Sequence, residues 1–140
     1  MKKRRNAVHP TADAVVRVNQ MVCQEGGNTH HCYDIGKIES AIHTAFYHGE
    51  YPYPASEIGR IAGALCFYLT KNHAFMDGNK RTAALTAISF LNENGWELLY
   101  PFDEKKGTNA LAIIVDDCAA SKVSKDQLMD WFDAHKVKTK

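Results

Sequence analysis

The chain has no excess of either charge. Its 140 residues include 17 lysines and arginines against 16 aspartates and glutamates, a formal net charge of +1 with neutral histidines. Domains with a large nucleic-acid footprint normally carry a basic excess, so nucleic acid is not an expected partner. The one basic block, Lys2-Lys3-Arg4-Arg5, lies at the extreme terminus. Because chain ends are commonly frayed and solvated, we expect residues 1–8 to form a flexible basic N-terminus.

Long apolar runs are also missing. No segment has 18 consecutive uncharged apolar residues, and no apolar signal-peptide core follows the basic block. We therefore expect no membrane partner and predict a cytoplasmic protein. No stretch rich in proline, serine and glycine divides the chain, and 45% of its residues are hydrophobic. These features predict one compact domain over residues 1–140.

Cysteine is scarce, and its spacing matches no zinc site. The four cysteines are Cys23, Cys32, Cys66 and Cys118, without a Cys-x-x-Cys pair. Free buried thiols in a reducing compartment are the simplest interpretation. The run His30-His31-Cys32 places three metal-binding residue types together, but consecutive side chains rarely point at one ion. We interpret this run as a polar loop.

Apolar residues recur mostly at steps of three and four, which predicts helices. The six predicted helices begin near Thr11, after Asp34, at Pro54, near Asn79, near Thr108 and after Ser124. Gly26-Gly27 and Asn94-Gly95 are stop signals for the first and the fourth of them. The pattern predicts an all-α fold in which the third and fourth helices form a central hairpin. At most one minor strand is expected, at residues 96–100.

The segment 48–54 interrupts this helical pattern. It contains Tyr51-Pro52-Tyr53-Pro54, in which each proline restricts the residue before it to extended conformations. We predict an extended flap here.

The loop between the third and fourth predicted helices concentrates polar groups in the string His73-Ala74-Phe75-Met76-Asp77-Gly78-Asn79-Lys80-Arg81. A helix N-terminus behind a glycine loop presents unpaired N–H groups that favour a bound phosphate. Lys80 and Arg81 in that first turn fit an anion held among them. Asp77 offers a carboxylate for Mg²⁺, and His73 offers an imidazole that can act as a general base. The remaining members are a neutral donor, Asn79, and an apolar anchor to the core, Phe75.

This string, followed by Thr82-Ala83, closely resembles the signature of the Fic/Doc (Fido) family, the filamentation-induced-by-cyclic-AMP and death-on-curing proteins. That signature is His-x-Phe-x-acid-Gly/Ala-Asn-Gly/Lys-Arg, and every fixed position is met. The flanking helices, the upstream flap and the chain length also resemble small members. The resemblance implies a helical Fido domain that moves part of ATP onto a hydroxyl group of a target protein.

The resemblance implies a role for each loop residue. His73 would deprotonate the target hydroxyl, and Asp77 would bind the metal that bridges the phosphates. Asn79 and Arg81 would hold phosphate oxygens, and Gly78 would offer backbone donors. These roles match those inferred from the chemistry of the side chains.

Two positions depart from the members that transfer AMP, which mostly carry proline after the histidine and glycine before the final arginine. Ala74 and Lys80 stand there instead. Lysine at the second place resembles the death-on-curing toxins, so we predict a toxin-type kinase that phosphorylates a serine or threonine hydroxyl. A lysine in the phosphate pocket would reverse the nucleotide, so that its γ-phosphate faces the nucleophile. The alternatives are an AMP transferase and an inactive nucleotide-binding module.

Family members often carry an inhibitory glutamate in the motif Ser/Thr-x-x-x-Glu-Gly/Asn. A formal match exists at Ser89, Glu93 and Asn94. At the helical rise, however, Glu93 would lie about 18 Å along the axis from Arg81, too far to pair with it. We therefore predict an antitoxin protein in trans that docks a helix beside the loop.

The resemblance places target recognition in the flap, where Tyr51 and Tyr53 are the candidate docking residues. For the toxin branch it implies a translation factor as the target protein.

Overall fold

The computed structural model describes residues 8–48 and 51–139, and for His48, Tyr51 and Pro52 the backbone alone. The predicted basic N-terminus lies outside the described residues, apart from Val8. The described chain contains the helices α1 (Ala12–Gly26), α2 (Ile35–Phe46), α3 (Ile58–Lys71), α4 (Asn79–Glu93), α5 (Ala110–Ala119) and α6 (Lys125–His135). The predicted all-α fold of about six helices is confirmed.

Short polar side chains fix several helix starts. The Thr11 hydroxyl accepts a hydrogen bond from a backbone amide in the first turn of α1, and Asp34 does the same for α2. Ser124 and Gln127 form the predicted capping box of α6. Such caps replace the hydrogen bonds that the first amides of a helix lack, so the chain reveals these boundaries locally.

Two helices begin later than predicted. A 3-10 turn, Ala55–Glu57, precedes α3 and moves its start from Pro54 to Ile58. Asn109 caps α5 through its side chain, so that helix begins after it rather than near Thr108.

Helix α3 is the centre of the fold and packs against α2, α4 and α6. Most of its residues are buried, because apolar and small side chains cover nearly its whole surface. Gly63 allows the closest approach: a Cβ atom there would lie 2.5 Å from the Cα of Met129 in α6. The predicted hairpin of α3 and α4 is present, and α6 is the other close neighbour of α3.

The prediction of at most one strand is wrong, since the described residues contain three two-stranded antiparallel pairs. The strands are β1 (Tyr47–His48), β2 (Tyr51–Pro52), β3 (Trp96–Leu98), β4 (Phe102–Asp103), β5 (Thr108–Asn109) and β6 (Lys136–Lys138). β1 pairs with β2, β3 with β6 and β4 with β5. None exceeds three residues, which is too short to produce an alternating pattern in the sequence.

All four cysteines are free, and three of them are buried: Cys23, Cys66 and Cys118. Burial raises the pKa of each of these three thiols, because a thiolate is poorly solvated inside the fold. Cys32 is only half-buried. The prediction of buried thiols is therefore correct for three cysteines and wrong for Cys32, which lies in the connection between α1 and α2.

Candidate active site

The loop between α3 and α4 has left-handed backbone at both ends. His73 has φ 47° and Gly78 has φ 76°. Glycine adopts this region without steric cost, but a residue with a side chain is strained there. The His73 side chain is exposed. Strained non-glycine residues often lie at functional sites, and this conformation is compatible with the predicted role of His73.

The middle of the loop is held to the segment before α2 by backbone hydrogen bonds. The Tyr33 amide donates to the Ala74 carbonyl at 2.8 Å, and the Met76 amide donates to the His31 carbonyl at 2.9 Å. Phe75 is 3% exposed and lies in the main core. Its buried ring and the two bonds fix the loop from opposite sides.

The Asn79 side chain closes the loop upon itself. Its Oδ1 accepts a hydrogen bond from the Phe75 amide at 3.1 Å, and its Nδ2 donates to the Phe75 carbonyl at 2.8 Å. The described conformation therefore uses this amide to stabilise the turn. A phosphate role for Asn79 remains a prediction.

Asn19 of α1 is a site residue that the sequence analysis missed. It is fully buried, and its Nδ2 donates to the Asp77 carbonyl at 2.8 Å. The signal was present in the sequence, because Asn19 is the polar member of the buried stripe of α1 that includes Val15 and Val22. A polar residue in such a stripe needs buried partners.

Gly78 leaves the N-terminus of α4 without a side-chain cap. It is the N-cap residue and has no side chain, so no side chain caps the amides of the first turn. Unpaired amides at a helix start, together with the helix dipole, favour a bound anion. The loop therefore offers backbone donors where phosphate is expected.

Both cations of the first turn of α4 have exposed acidic partners. Lys80 lies 3.0 Å from Asp116 of α5, and Arg81 lies 2.8 Å from Glu25 of α1. Each of these four side chains is more than half exposed. Surface ion pairs of this kind contribute about 0–1 kcal/mol, so a phosphate group could displace the carboxylates at little cost.

Two comparisons with known proteins identify the family of this chain. Residues 9–91, more than half of the chain, match the sequence model of the Fic/DOC family. A protein named Toxin Doc, from Mycolicibacterium smegmatis (strain ATCC 700084 / mc(2)155), is 33% identical over 94 residues, which cover 65% of this chain and 71% of that protein. The chain belongs to the Fic/DOC family. The matched region contains all of residues 73–81, here called the Fic/DOC loop, and ends within the last turn of α4.

Asp77 is the candidate metal ligand of the Fic/DOC loop. Its backbone carbonyl is bound to Asn19, and its half-buried side chain lies beside the start of α4. In the part of the chain that the structure describes, no group of three or more His, Cys, Asp or Glu residues could hold a metal ion. Mg²⁺ is usually held by one or two carboxylates together with phosphate oxygens and water. A single carboxylate beside a phosphate site fits that mode.

The flap of the Fic/DOC domain is the hairpin of β1 and β2. Its extended backbone agrees with the prediction for residues 48–54, although residues 49 and 50 and the Tyr51 side chain lie outside the described residues. The Tyr53 amide donates to the Phe46 carbonyl at 2.8 Å, and the half-buried Tyr53 ring packs against the core. Tyr53 therefore lies at the base of the flap.

The formal inhibitory match does not approach the phosphate site. α4 is continuous from Asn79 to Glu93, so Glu93 and Arg81 lie near its opposite ends. The acidic partner of Arg81 in this structure is Glu25. Glu93 is therefore too far from Arg81 in the folded chain to pair with it, as the sequence predicted.

Across the described ranges, no helix is both long and apolar enough to cross a membrane.

Proposed function

We propose that this protein is a Doc-like toxin that transfers the γ-phosphate of ATP to a serine or threonine hydroxyl of a target protein. The observation that carries the proposal is the position of Lys80 and Arg81 in the uncapped first turn of α4, across the loop from the exposed His73. The likeness to the protein named Toxin Doc supports the same assignment.

In the proposed reaction His73 accepts the proton of the target hydroxyl. The freed oxygen forms a bond to the γ-phosphorus while the bond from that phosphorus to the β–γ bridging oxygen breaks, so that ADP leaves. The first-turn amides of α4 and Arg81 bind phosphate oxygens and stabilise the charge that develops there. Asp77 would hold Mg²⁺, which would neutralise part of the negative charge of the phosphates.

Lys80 favours phosphate transfer over AMP transfer in this proposal. Its ammonium group is paired with one exposed carboxylate, Asp116, at 3.0 Å, and Lys80 itself is a residue of the first turn of α4. A second cation beside Arg81 changes which phosphate group the pocket prefers, and so which phosphorus faces His73. An AMP transferase on the same fold would use the same base with the nucleotide reversed.

The test uses ATP labelled either at the γ- or at the α-phosphate, incubated with the protein and a cell lysate. We expect γ-label and no α-label on a target band. Lys80→Gly should lower γ-transfer about 10²-fold, the usual effect of removing one transition-state donor, and should allow some α-transfer. Asp116→Asn is the matched control, because it removes the ion pair but keeps the lysine.

Two outcomes would reject the kinase assignment, and a third would reject only the role of Lys80. Transfer of α-label by the wild-type protein would identify an AMP transferase. ATP binding without transfer of either label would identify an inactive nucleotide-binding module. Equal γ-transfer by the wild type and Lys80→Gly would remove the reason for assigning Lys80 a role in orientation.

Two partners complete the proposal. The labelled protein is expected to be a translation factor, bound through the flap formed by β1 and β2. An antitoxin in trans would restrain the enzyme by docking a helix beside the loop.

A further inference from the structure

Asn19 forms hydrogen bonds through both ends of its side chain next to the active loop. Its Nδ2 donates to the Asp77 carbonyl at 2.8 Å and to the Thr82 hydroxyl oxygen at 3.0 Å. Its Oδ1 lies 2.6 Å from Nδ1 of His30 and 3.5 Å from Sγ of Cys23, a thiol that is also 3.7 Å from the Asp77 carbonyl. Both donors of the Asn19 amide are therefore used, and its oxygen accepts a hydrogen bond from His30.

These partners determine how the amide and the imidazole are oriented. The Asp77 carbonyl can only accept, so the nitrogen of the Asn19 amide must face it. The amide oxygen then faces His30, and Nδ1 of His30 must carry the proton that it donates. His30 is half-buried, whereas Asn19, Cys23 and Thr82 are buried.

The network spans the point where the loop becomes a helix. Asp77 immediately precedes Gly78, and Thr82 lies one turn into α4, where its amide donates to the Gly78 carbonyl at 2.9 Å. Gly78 itself lies close against α1: a Cβ atom there would be 3.0 Å from Cγ1 of Val22. Asn19 therefore connects both sides of this turn to a buried helix.

We propose that Asn19 is a positioning residue for metal-nucleotide binding and that His30 holds Asn19 in its working orientation. By fixing the Asp77 carbonyl, Asn19 sets the direction in which the Asp77 carboxylate faces the phosphates bound at α4. This inference rests on the proposed function, since it assigns the role through MgATP. Residues that orient a metal ligand typically change metal affinity about 10- to 100-fold when removed.

The experiment measures ATP affinity by calorimetry with and without Mg²⁺. The ratio of the two affinities is the magnesium-dependent gain in ATP affinity. Asn19→Ala should lower this gain about tenfold or more. Asn19 is fully buried, so a second test is needed if that variant does not fold. The pair His30→Asn and His30→Phe then tests whether the gain depends on the hydrogen bond from His30 to Asn19. Asparagine places an amide N–H where Nδ1 of the imidazole was, whereas phenylalanine keeps the ring and removes the donor.

We expect His30→Asn to retain the magnesium-dependent gain and His30→Phe to lose it. The matched control is His135→Phe in α6, which removes a similar histidine contact, from Nδ1 to the Trp131 carbonyl at 2.7 Å. That control should leave the gain unchanged. A gain retained by His30→Phe but lost by His30→Asn would show that the ring only packs against its neighbours, and would overturn the inference.

The positioning role of Asn19 and the proposed function can be rejected separately. If the wild-type protein binds MgATP and a folded Asn19→Ala variant keeps the full gain, the positioning role is wrong and the proposed function stands. If the wild-type protein does not bind MgATP, the proposed function is wrong, and the role assigned to Asn19 is wrong with it.

Discussion

At the scale of single residues, His73 combines a strained backbone with the predicted chemistry. We predict that His73→Ala and His73→Gly both lower transfer by about 10² to 10⁴-fold, because each removes the general base. Their stabilities should differ, since only glycine relieves the strain at φ 47°. His73→Gly should therefore have a free energy of unfolding about 1 kcal/mol higher than that of His73→Ala. Urea denaturation measures this difference.

Ser121 is the matched control for the strain at His73. It is the other described non-glycine residue with positive φ, at 61°, and it lies after α5. Ser121→Gly should likewise be more stable than Ser121→Ala, but neither should change transfer. More than a tenth of the wild-type rate in His73→Ala would show that another group acts as the base.

The sequence predicted which loop residues form the candidate site, but it did not predict their contacts. A glycine followed by two cations is a short-range pattern that predicted a phosphate site at a helix start. In the structure Gly78 is the N-cap residue of α4 and provides no side-chain cap. The two hydrogen bonds between the Asn79 side chain and the Phe75 backbone depend on the path of the loop in space. The contact of Asn19 with Asp77 joins residues 58 positions apart. No local pattern specifies such a pairing.

At the scale of elements, the contact between α3 and α6 depends on Gly63. A Cβ atom there would lie 2.5 Å from the Cα of Met129 and 2.8 Å from the Leu128 carbonyl oxygen. Because both atoms belong to the backbone, a whole helix would have to shift to accommodate a methyl group. We predict that Gly63→Ala destabilises the fold by about 1–3 kcal/mol, the usual cost of overpacking.

Gly36→Ala serves as the control for that measurement by thermal or urea unfolding. A Cβ atom at Gly36 would meet the side chain of Asp34, 3.0 Å away, which needs to shift by only a few tenths of an ångström and can keep its cap bond to the Gly36 amide. Alanine in the first turn of α2 should therefore have little effect or a small stabilising one. Equal losses in both variants would contradict the close approach described at Gly63.

The helices were predictable because their signals are local, whereas the strands were not. Caps such as Ser124 and stops such as Gly27 act within one turn of the helix that they bound. β3 pairs with β6 some forty residues further along the chain, in the register Trp96 with Lys138. β3 follows α4 and β6 follows α6. Because both of these helices pack against α3, the two strands come close together. Tertiary structure therefore decides these strands.

At the scale of the whole molecule, the part of the chain beyond the matched family region also contributes to the site. The match ends at residue 91, yet α5 supplies Asp116, the partner of Lys80. Leu128 and Phe132 of α6 are fully buried in the core that contains Phe75 of the loop. The C-terminal helices are thus part of the support for the active loop.

The proposed toxin role can be tested by the effect of the whole protein on cell growth. If it is a toxin restrained only in trans, expression of the isolated gene should arrest growth, and His73→Ala should relieve the arrest at equal protein levels. Glu93→Gly should change neither growth nor transfer, because Glu93 lies at the opposite end of α4 from the phosphate site. Plate counts and transfer assays on the same variants measure both effects. Harmless expression of a folded protein that transfers phosphate would contradict the toxin role, and altered transfer in a stable Glu93→Gly variant would show that the chain carries its own inhibitor.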